Sequence, residues 1–446
     1  MRLKEAFRIQ QPIHLALVGA GGKSTTLFTL GKELGQSVIL TASTHLAIEE
    51  TKLADQHVVI EHGFSYEKVK SLLGMGTTLF TGKVVENDFR VAGLGFDDLQ
   101  KLWRLAEEKD CHLLIEADGS RRLPVKAPAD HEPPIPQWVD VVAVSVGLSG
   151  LGKPVDDEHV FRLENFLSLS GLTQGQLLNS EALIKVLSHE NGGLKNIPPT
   201  AKRVAILNQA DTPTQYEAAV AMADELLRVF DMVLVNSFKM ATPETGSVQG
   251  VYERVAGIIL AGGGSSRYGM PKALLDWRGK PFVRHVAETA LCSGLNPVNV
   301  VLGAVVDPIR DVLVDLPVHF VVNENWAKGQ STSVATGIGS LKDYVGGAVI
   351  LMADQPQTPC ELIHSLKETH STTLAPITTP MTQGHRSSPV LMDRKMFDEL
   401  KMLSGDIGAR AIFNNHPVLN MPWNNPDDLF DIDTPDDYQR LLNLKR

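Results

Sequence analysis

Apolar runs recur along the first half of the chain at residues 13–18 (IHLALV), 37–42 (SVILTA), 112–117 (HLLIEA), 141–146 (VVAVSV), 203–208 (RVAILN) and 232–237 (MVLVNS), with helical stretches between them. Continuous apolar strands separated by helices predict a parallel sheet covered on both faces. A polar stretch at 239–253, KMATPETGSVQGVYE, breaks the pattern and predicts a linker. A second alternation follows, with strands expected at 255–261, 297–303, 318–323 and 347–353. Residues 281–293 read as a helix, with Phe282, Val283, Val286 and Ala290 near one face. The pattern therefore predicts two α/β domains, at 1–245 and 254–446.

Composition narrows the function classes. The 446 residues are 43% hydrophobic and 21% charged, and the formal net charge is -10. Non-specific binding to nucleic acid or a membrane surface needs a basic footprint, which this balance lacks. No apolar run approaches the ~18 residues of a membrane span. The first residues, MRLKEAFRIQ, lack the apolar core of a secretory signal. Cys111, Cys292 and Cys360 lie far apart, in keeping with neither a disulfide framework nor a thiolate metal site. A cytoplasmic, multi-domain protein is expected.

Each half carries a glycine loop directly after its first strand. In GAGGKSTT, Gly19, Gly21 and Gly22 precede Lys23, Ser24 and Thr25. Backbone N–H groups and a helix start hold phosphates, a lysine reaches outer oxygens, and a serine hydroxyl can ligate Mg²⁺. The spacing departs from the usual Walker loop, because Leu17 stands where its first glycine belongs. It resembles the GxxGKTTT version of Mur-type ligases. Glu116 and Asp118 follow a strand, where a nucleoside triphosphatase carries its Mg²⁺ carboxylate. Asn208 and Asp211 have the N-x-x-D spacing that resembles the guanine-reading motif of GTPases. A strand-end turn is the plain reading of Glu116 and Asp118, and a helix N-cap explains Asn208 and Asp211 as well as base reading does. ATP or GTP is expected on this half.

The second loop reads LAGGGSSRYGMPKALL. Leu260 and Ala261 end the strand, Gly262, Gly263, Gly264, Ser265 and Ser266 form the loop, and Arg267 and Lys272 supply two cations. Glycine backbone N–H groups with cations further out suit a triphosphate at the carboxyl end of a sheet strand. Asp354 ends another apolar run and fits a Mg²⁺ ligand, with Asp431 or Asp433 as the second carboxylate. Thr434 reads as an N-cap with Pro435 at the first helical position. Gln330, Ser331 and Ser333 fall where a helix begins, suited to reading a base, holding a phosphate or simply capping.

Two resemblances extend this reading. EADGSRRLPVKAPADHEPPIP at 116–136, with GAGGKSTT and with THLA at 44–47, resembles the YqeC family over roughly residues 10–240. That family is an accessory group of selenium-dependent molybdenum hydroxylases. LAGGGSSRYGMPKALL, WAKGQSTSVATG, MADQP, SGDIGAR and DIDTPDDY, in that order, resemble the MobA-like molybdenum-cofactor nucleotidyltransferases, a Rossmann-like nucleotide-diphospho transferase fold. The resemblance implies that the terminal phosphate of Mo-molybdopterin attacks the α-phosphate of a nucleoside triphosphate and releases pyrophosphate. It puts Arg267, Lys272 and Asp354 at the catalytic centre, and Arg386, Ser388 and Arg410 on the molybdopterin side. LAGG resembles the guanylyl branch, whereas the cytidylyl (MocA-type) branch usually carries LAAG. GQSTS, ADQP, GDIGAR and DIDTP resemble the cytidylyl branch. CTP is the expected substrate and GTP the alternative, with Gly263 the residue that keeps that choice open. An apo molybdenum hydroxylase of the xanthine dehydrogenase type is the implied partner. A GTPase-type chaperone that delivers cofactor is the reading from another class. Sugar-phosphate nucleotidyltransferases share the fold but should carry sugar-reading segments in place of GQSTS and GDIGAR.

Overall fold

A computed structural model describes residues 1–35, 37–60, 66–85, 89–263, 271–405 and 408–444. The chain divides into two compact units, Met1–Tyr252 and Glu253–Arg446.

The strands of the first unit are β1 (His14–Gly19), β2 (Val38–Ala42), β3 (Gln56–Val59), β4 (Thr77–Thr81), β5 (His112–Glu116), β6 (Val141–Gly147), β7 (Lys202–Asn208) and β8 (Met232–Asn236). They lie in the order β8-β7-β6-β1-β5-β2-β4-β3, and every pairing is parallel. Helices α1 (Lys23–Leu34), α2 (Phe96–Lys109), α3 (Leu163–Ser170), α4 (Ser180–Ser188) and α5 (Pro213–Leu226) accompany the sheet. In α2, Leu99, Leu102, Leu105 and Ala106 are buried at helical spacing while acidic and basic residues take the other face. Strand β4 carries three threonines in TTLFT and so reads as polar, yet all five residues are buried. Its polar groups are satisfied: the Asp55 carboxylate accepts both the Thr77 N–H and hydroxyl at 2.8 Å.

The expected linker at 239–253 is irregular only as far as Ser247. From Val248 the chain is strand, because the Val248 N–H donates to the Met1 carbonyl at 3.0 Å and its own carbonyl accepts from the Met1 ammonium at 2.6 Å.

The second unit is built on β9 (Val248–Ala261), β10 (Val298–Leu302), β11 (His319–Val322), β12 (Val345–Met352), β13 (Ile377–Thr382), β14 (Val390–Asp393) and β15 (Val418–Pro422). Their order is β11-β10-β9-β12-β14-β13-β15. Only β14 runs antiparallel to its neighbours in that row. The principal helices are α6 (Phe282–Cys292), α7 (Gln330–Gly339), α8 (Cys360–Thr373) and α9 (Pro435–Leu442). From β9 the chain winds outward through β10 and β11, then returns to the opposite side of β9 as β12. That reversal opens a crevice at the carboxyl ends of β9 and β12, where open α/β sheets hold ligands. Among the described residues, no helix is long and apolar enough to cross a membrane.

Candidate functional site

The crevice of the second unit is a cleft of about 490 Å³, within the range of small-ligand sites. Leu260, Ala261, Gly262 and Gly263 line one side, Gln330 and Ser333 another, and Lys272 and Asp354 its polar end. Trp326 stands at the rim, 39% exposed. Gly264, Ser265, Ser266 and Arg267 lie outside the described residues.

Close approach explains the first glycine. A Cβ on Gly262 would lie 2.9 Å from the Ser333 hydroxyl, whereas one on Gly263 would meet open space. LAGG and LAAG differ at the third letter, which is Gly262. That letter is one residue before Gly263, the glycine weighed from sequence. Ser333 is itself held, accepting from the Asn323 side-chain amide at 3.0 Å. Ser331 is fully buried and donates its hydroxyl to the Gly405 carbonyl, so it braces the loop at 402–405 rather than lining the cleft. Gln330 lies at the first position of α7, and its amide reaches the Met352 sulfur at 3.4 Å.

Lys272 connects the acidic residues. Its ammonium is 2.7 Å from Asp433 Oδ1 and 3.7 Å from Asp354 Oδ2. Asp354 retains 29% of its side-chain exposure, through the cleft. Burial pushes its carboxyl above the usual range; Lys272 opposes that shift, and Asp431 and Asp433 reinforce it. Asp431 accepts from the Gln355 amide at 2.6 Å, while Asp433 is 64% exposed. Thr434 is the N-cap of α9, with Pro435 beginning the helix and Asp437 completing a capping box. The Asp437 carboxylate also accepts the Asp433 N–H at 3.1 Å, which fixes the backbone carrying Asp433.

Crowding several carboxylates beside one ammonium fits a divalent cation. Among the described residues no group of three or more acidic, histidine or cysteine side chains is arranged to hold one unaided. Arg386 is exposed and donates to Asn420 at 2.7 Å, Arg410 is exposed, and Ser388 is partly buried; none of the three lines the cleft.

In the first unit, β1 ends at Gly19 and α1 begins at Lys23, with Gly22 as its left-handed N-cap. A Cβ on Gly22 would meet the Asn208 amide nitrogen at 2.2 Å, so only glycine allows this approach. Lys23 is 3% exposed. It donates to the Gly19 carbonyl at 2.8 Å and the Ser120 hydroxyl at 3.3 Å, and lies 3.7 Å from Glu116 and 3.5 Å from Asp118. Ser24 donates to Glu116 at 2.8 Å, and Thr25 is exposed on the first turn. Burial pushes the Glu116 carboxyl up to about 7, with Lys23 the chief opposing influence. Asp118 accepts the Gly19 N–H at 3.0 Å and Lys126 at 2.8 Å.

Lys126 then bridges to Glu132 at 3.1 Å, and Glu132 to Arg162 at 3.2 Å. The EADGSRRLPVKAPADHE segment thus supplies a buried chain of alternating charge behind the loop. Asn208 donates to the Gly21 carbonyl at 2.7 Å, and Asp211 accepts from Ser237. Thr212, not Asp211, caps α5. Sequence reading did not single out Gln355, Asn323, Glu132 or Ser237. Gln355 and Glu132 lie inside motifs that were read, but their partners stand 76 and 30 residues away.

Comparison with known proteins divides the chain at the same place. The YqeC protein family matches residues 15–164, and the MobA-like NTP transferase domain matches residues 257–419. The uncharacterized protein YqeC of Escherichia coli (strain K12) is 32% identical over 221 residues, covering 49% of this chain and 82% of that protein. Nicotine blue oxidoreductase of Paenarthrobacter nicotinovorans is 30% identical over 202 residues, covering 42% of this chain and 96% of that protein. A probable molybdenum cofactor guanylyltransferase of Bacillus cereus (strain Q1) is 31% identical over 137 residues, covering 30% of this chain and 66% of that protein.

Proposed function

We propose, for a chain that belongs to the YqeC family in its first half and to the MobA-like NTP transferases in its second, that this nucleotidyltransferase is a molybdenum cofactor cytidylyltransferase. It transfers CMP from CTP to Mo-molybdopterin. The transferase domain spans 254–446, and an accessory nucleotide-binding domain spans 1–245. The observation that carries the reading is Lys272, set between Asp433 at 2.7 Å and Asp354 at 3.7 Å beside the glycine loop of the cleft.

The reaction needs positioning and charge compensation rather than a covalent enzyme intermediate. A terminal phosphate oxygen of molybdopterin attacks the α-phosphorus of CTP. A P–O bond forms there as the Pα–O–Pβ bond breaks, and pyrophosphate leaves with the bridging oxygen. The backbone of Gly262 and Gly263 lets the nucleotide approach closely. Lys272 and Arg267 oppose the charge that gathers on the leaving group. Asp354 and Asp433 would hold Mg²⁺, which when bound supplies further charge neutralisation at the phosphates. Ser333, beside Gly262, faces the base, and Arg386, Ser388 and Arg410, outside the cleft lining, are assigned to the molybdopterin side away from the reacting phosphate.

In the first half, the loop from Gly19 to Thr25, with Glu116 and Asp118, holds a nucleotide and Mg²⁺. That half serves an apo molybdenum hydroxylase of the xanthine dehydrogenase type in the cytoplasm. GTP is the second reading for the transferase, favoured by the glycine at 262. Incubating the full chain with Mo-molybdopterin, Mg²⁺ and either CTP or GTP, then identifying the dinucleotide by mass, decides between them. Cytosine dinucleotide alone is expected. Guanine dinucleotide alone replaces CTP with GTP, and neither product removes the assignment.

A further inference from the structure

We infer that Arg121 and Arg122 clamp the outermost phosphate of a triphosphate held by the first unit. On the reading that this unit holds a nucleotide, the pair selects triphosphate over diphosphate, whatever the base.

The segment that carries them is a strap across the phosphate loop. Strand β1 lies between β5 and β6, and the chain leaving β5 passes the carboxyl end of β1 in contact with the loop there. Asp118 accepts the Gly19 N–H at 3.0 Å, the Ser120 hydroxyl accepts Lys23 Nζ at 3.3 Å, and the Leu123 carbonyl accepts the Gly21 N–H at 3.3 Å. The Pro124 carbonyl then takes the Gly147 N–H at 2.7 Å, at the end of β6. Arg121 and Arg122 are the two residues between the Ser120 and Leu123 contacts. Their backbone is therefore fastened on both sides to the loop that starts α1.

The fold leaves both arginines without an anionic partner. Both are exposed, and among the described residues neither side chain makes a hydrogen bond or an ion pair. Their φ angles are +51° and +63°, a conformation that glycine adopts more readily, so the turn by itself does not call for arginine. Arg121 rests on the Phe161 ring, 5.3 Å from its centroid, and Arg162 lies 4.8 Å from the same centroid. Glu132 takes Arg162 at 3.2 Å, whereas Arg121 is placed by the ring and keeps its guanidinium donors free.

Charge balance selects the ligand. Around the loop, Lys23, Lys126 and Arg162 stand against Glu116, Asp118 and Glu132, three cations against three carboxylates. These charges answer one another, so the added charge of a polyphosphate needs cations from outside that set. Arg121 and Arg122 are such cations. The lysine of a phosphate loop reaches the outer phosphate oxygens. Ser120 touches that ammonium, and the two arginines come next in the chain. A guanidinium presents a planar fork that fits phosphate oxygens in pairs. A diphosphate ends at Lys23, and a third phosphate extends to the strap.

The test is titration of the full chain with inorganic tripolyphosphate and with pyrophosphate in Mg²⁺. Only the binding lost in Lys23→Ala is counted, which separates this site from the transferase cleft. Tripolyphosphate is expected to bind about 10–100-fold more tightly, the range that hydrogen bonds to charged groups supply. Arg121→Ala combined with Arg122→Ala should bring tripolyphosphate down to the affinity of pyrophosphate and leave pyrophosphate unchanged. Both side chains are exposed, so this double variant keeps the fold. If Lys23→Ala does not fold, the binding lost in the double variant is the comparison. Equal affinities in the unaltered protein overturn the clamp and leave the nucleotide reading standing. A double variant that keeps the preference, or that weakens both ligands alike, overturns the clamp as well. No Lys23-dependent binding of either polyphosphate removes both.

Discussion

Lys272 is the residue on which the transferase site turns. It is 9% exposed, and its ammonium stands between Asp354 and Asp433, two carboxylates far apart in the sequence. Lys272→Ala should lower kcat for pyrophosphate release by roughly 10²–10³-fold, the usual cost of removing a group that meets charge developing in the transition state. An unchanged kcat with a raised KM would mean that the lysine only binds nucleotide. His112 gives a test of stability in the first unit. Burial lowers its pKa from 6.5 to about 4, with Lys4 and His14 adding to the effect, and its Nδ1 accepts the Ile13 N–H at 3.2 Å. The ring stays neutral in the fold while the unfolded chain takes up a proton, so this contribution is intact above 6.5 and is lost as pH falls towards 4. The loss should reach about 3 kcal/mol. Denaturant unfolding across that range should show it, and His112→Asn, which retains an acceptor for Ile13, should flatten the slope.

At the level of elements, α9 illustrates how a helix end positions chemistry. Thr434 and Asp437 cap it reciprocally, and Asp437 also takes the Asp433 N–H. Thr434→Ala should destabilise the helix start by about 1 kcal/mol and loosen Asp433. The expected readout is a higher Mg²⁺ requirement with little change in kcat at saturating metal. An unaltered Mg²⁺ requirement would detach the cap from the site. This helix start was legible in DIDTPDDY, since Thr-Pro-Asp-Asp carries its own boundary signals. The apolar strands β1, β2, β5 to β8 and β9 to β12 were legible for a similar reason, being continuous runs. Strand β4 was not, because threonine reads as polar although the Thr77 and Thr81 hydroxyls find acceptors in Asp55 and the Gly82 carbonyl. Strands β13 to β15 were also missed, since ITTPMT and VLNMP mix proline and polar residues into short segments and β14 is only four residues long. The glycine loops and strand-end carboxylates were visible as motifs. Their joining was not, because Lys272 meets Asp433 across 161 residues and Asn208 meets Gly21 across 187.

On the scale of the whole molecule, two glycine loops follow two first strands, in two units that each have their own core. Each loop is assigned its own ligand, so the two sites should be separable by single substitutions. Lys23→Ala should abolish nucleotide binding by the first unit, and Asp354→Asn should abolish transfer in the second. If Lys23→Ala stopped pyrophosphate release as completely as Asp354→Asn, one shared site would replace two. The most direct measurement of the central claim is release of pyrophosphate from CTP by the full chain, given Mo-molybdopterin and Mg²⁺, with Asp354→Asn in parallel. The account predicts release that depends on molybdopterin and is lost in the variant. Absence of release from both CTP and GTP, or release undiminished in Asp354→Asn, would contradict it.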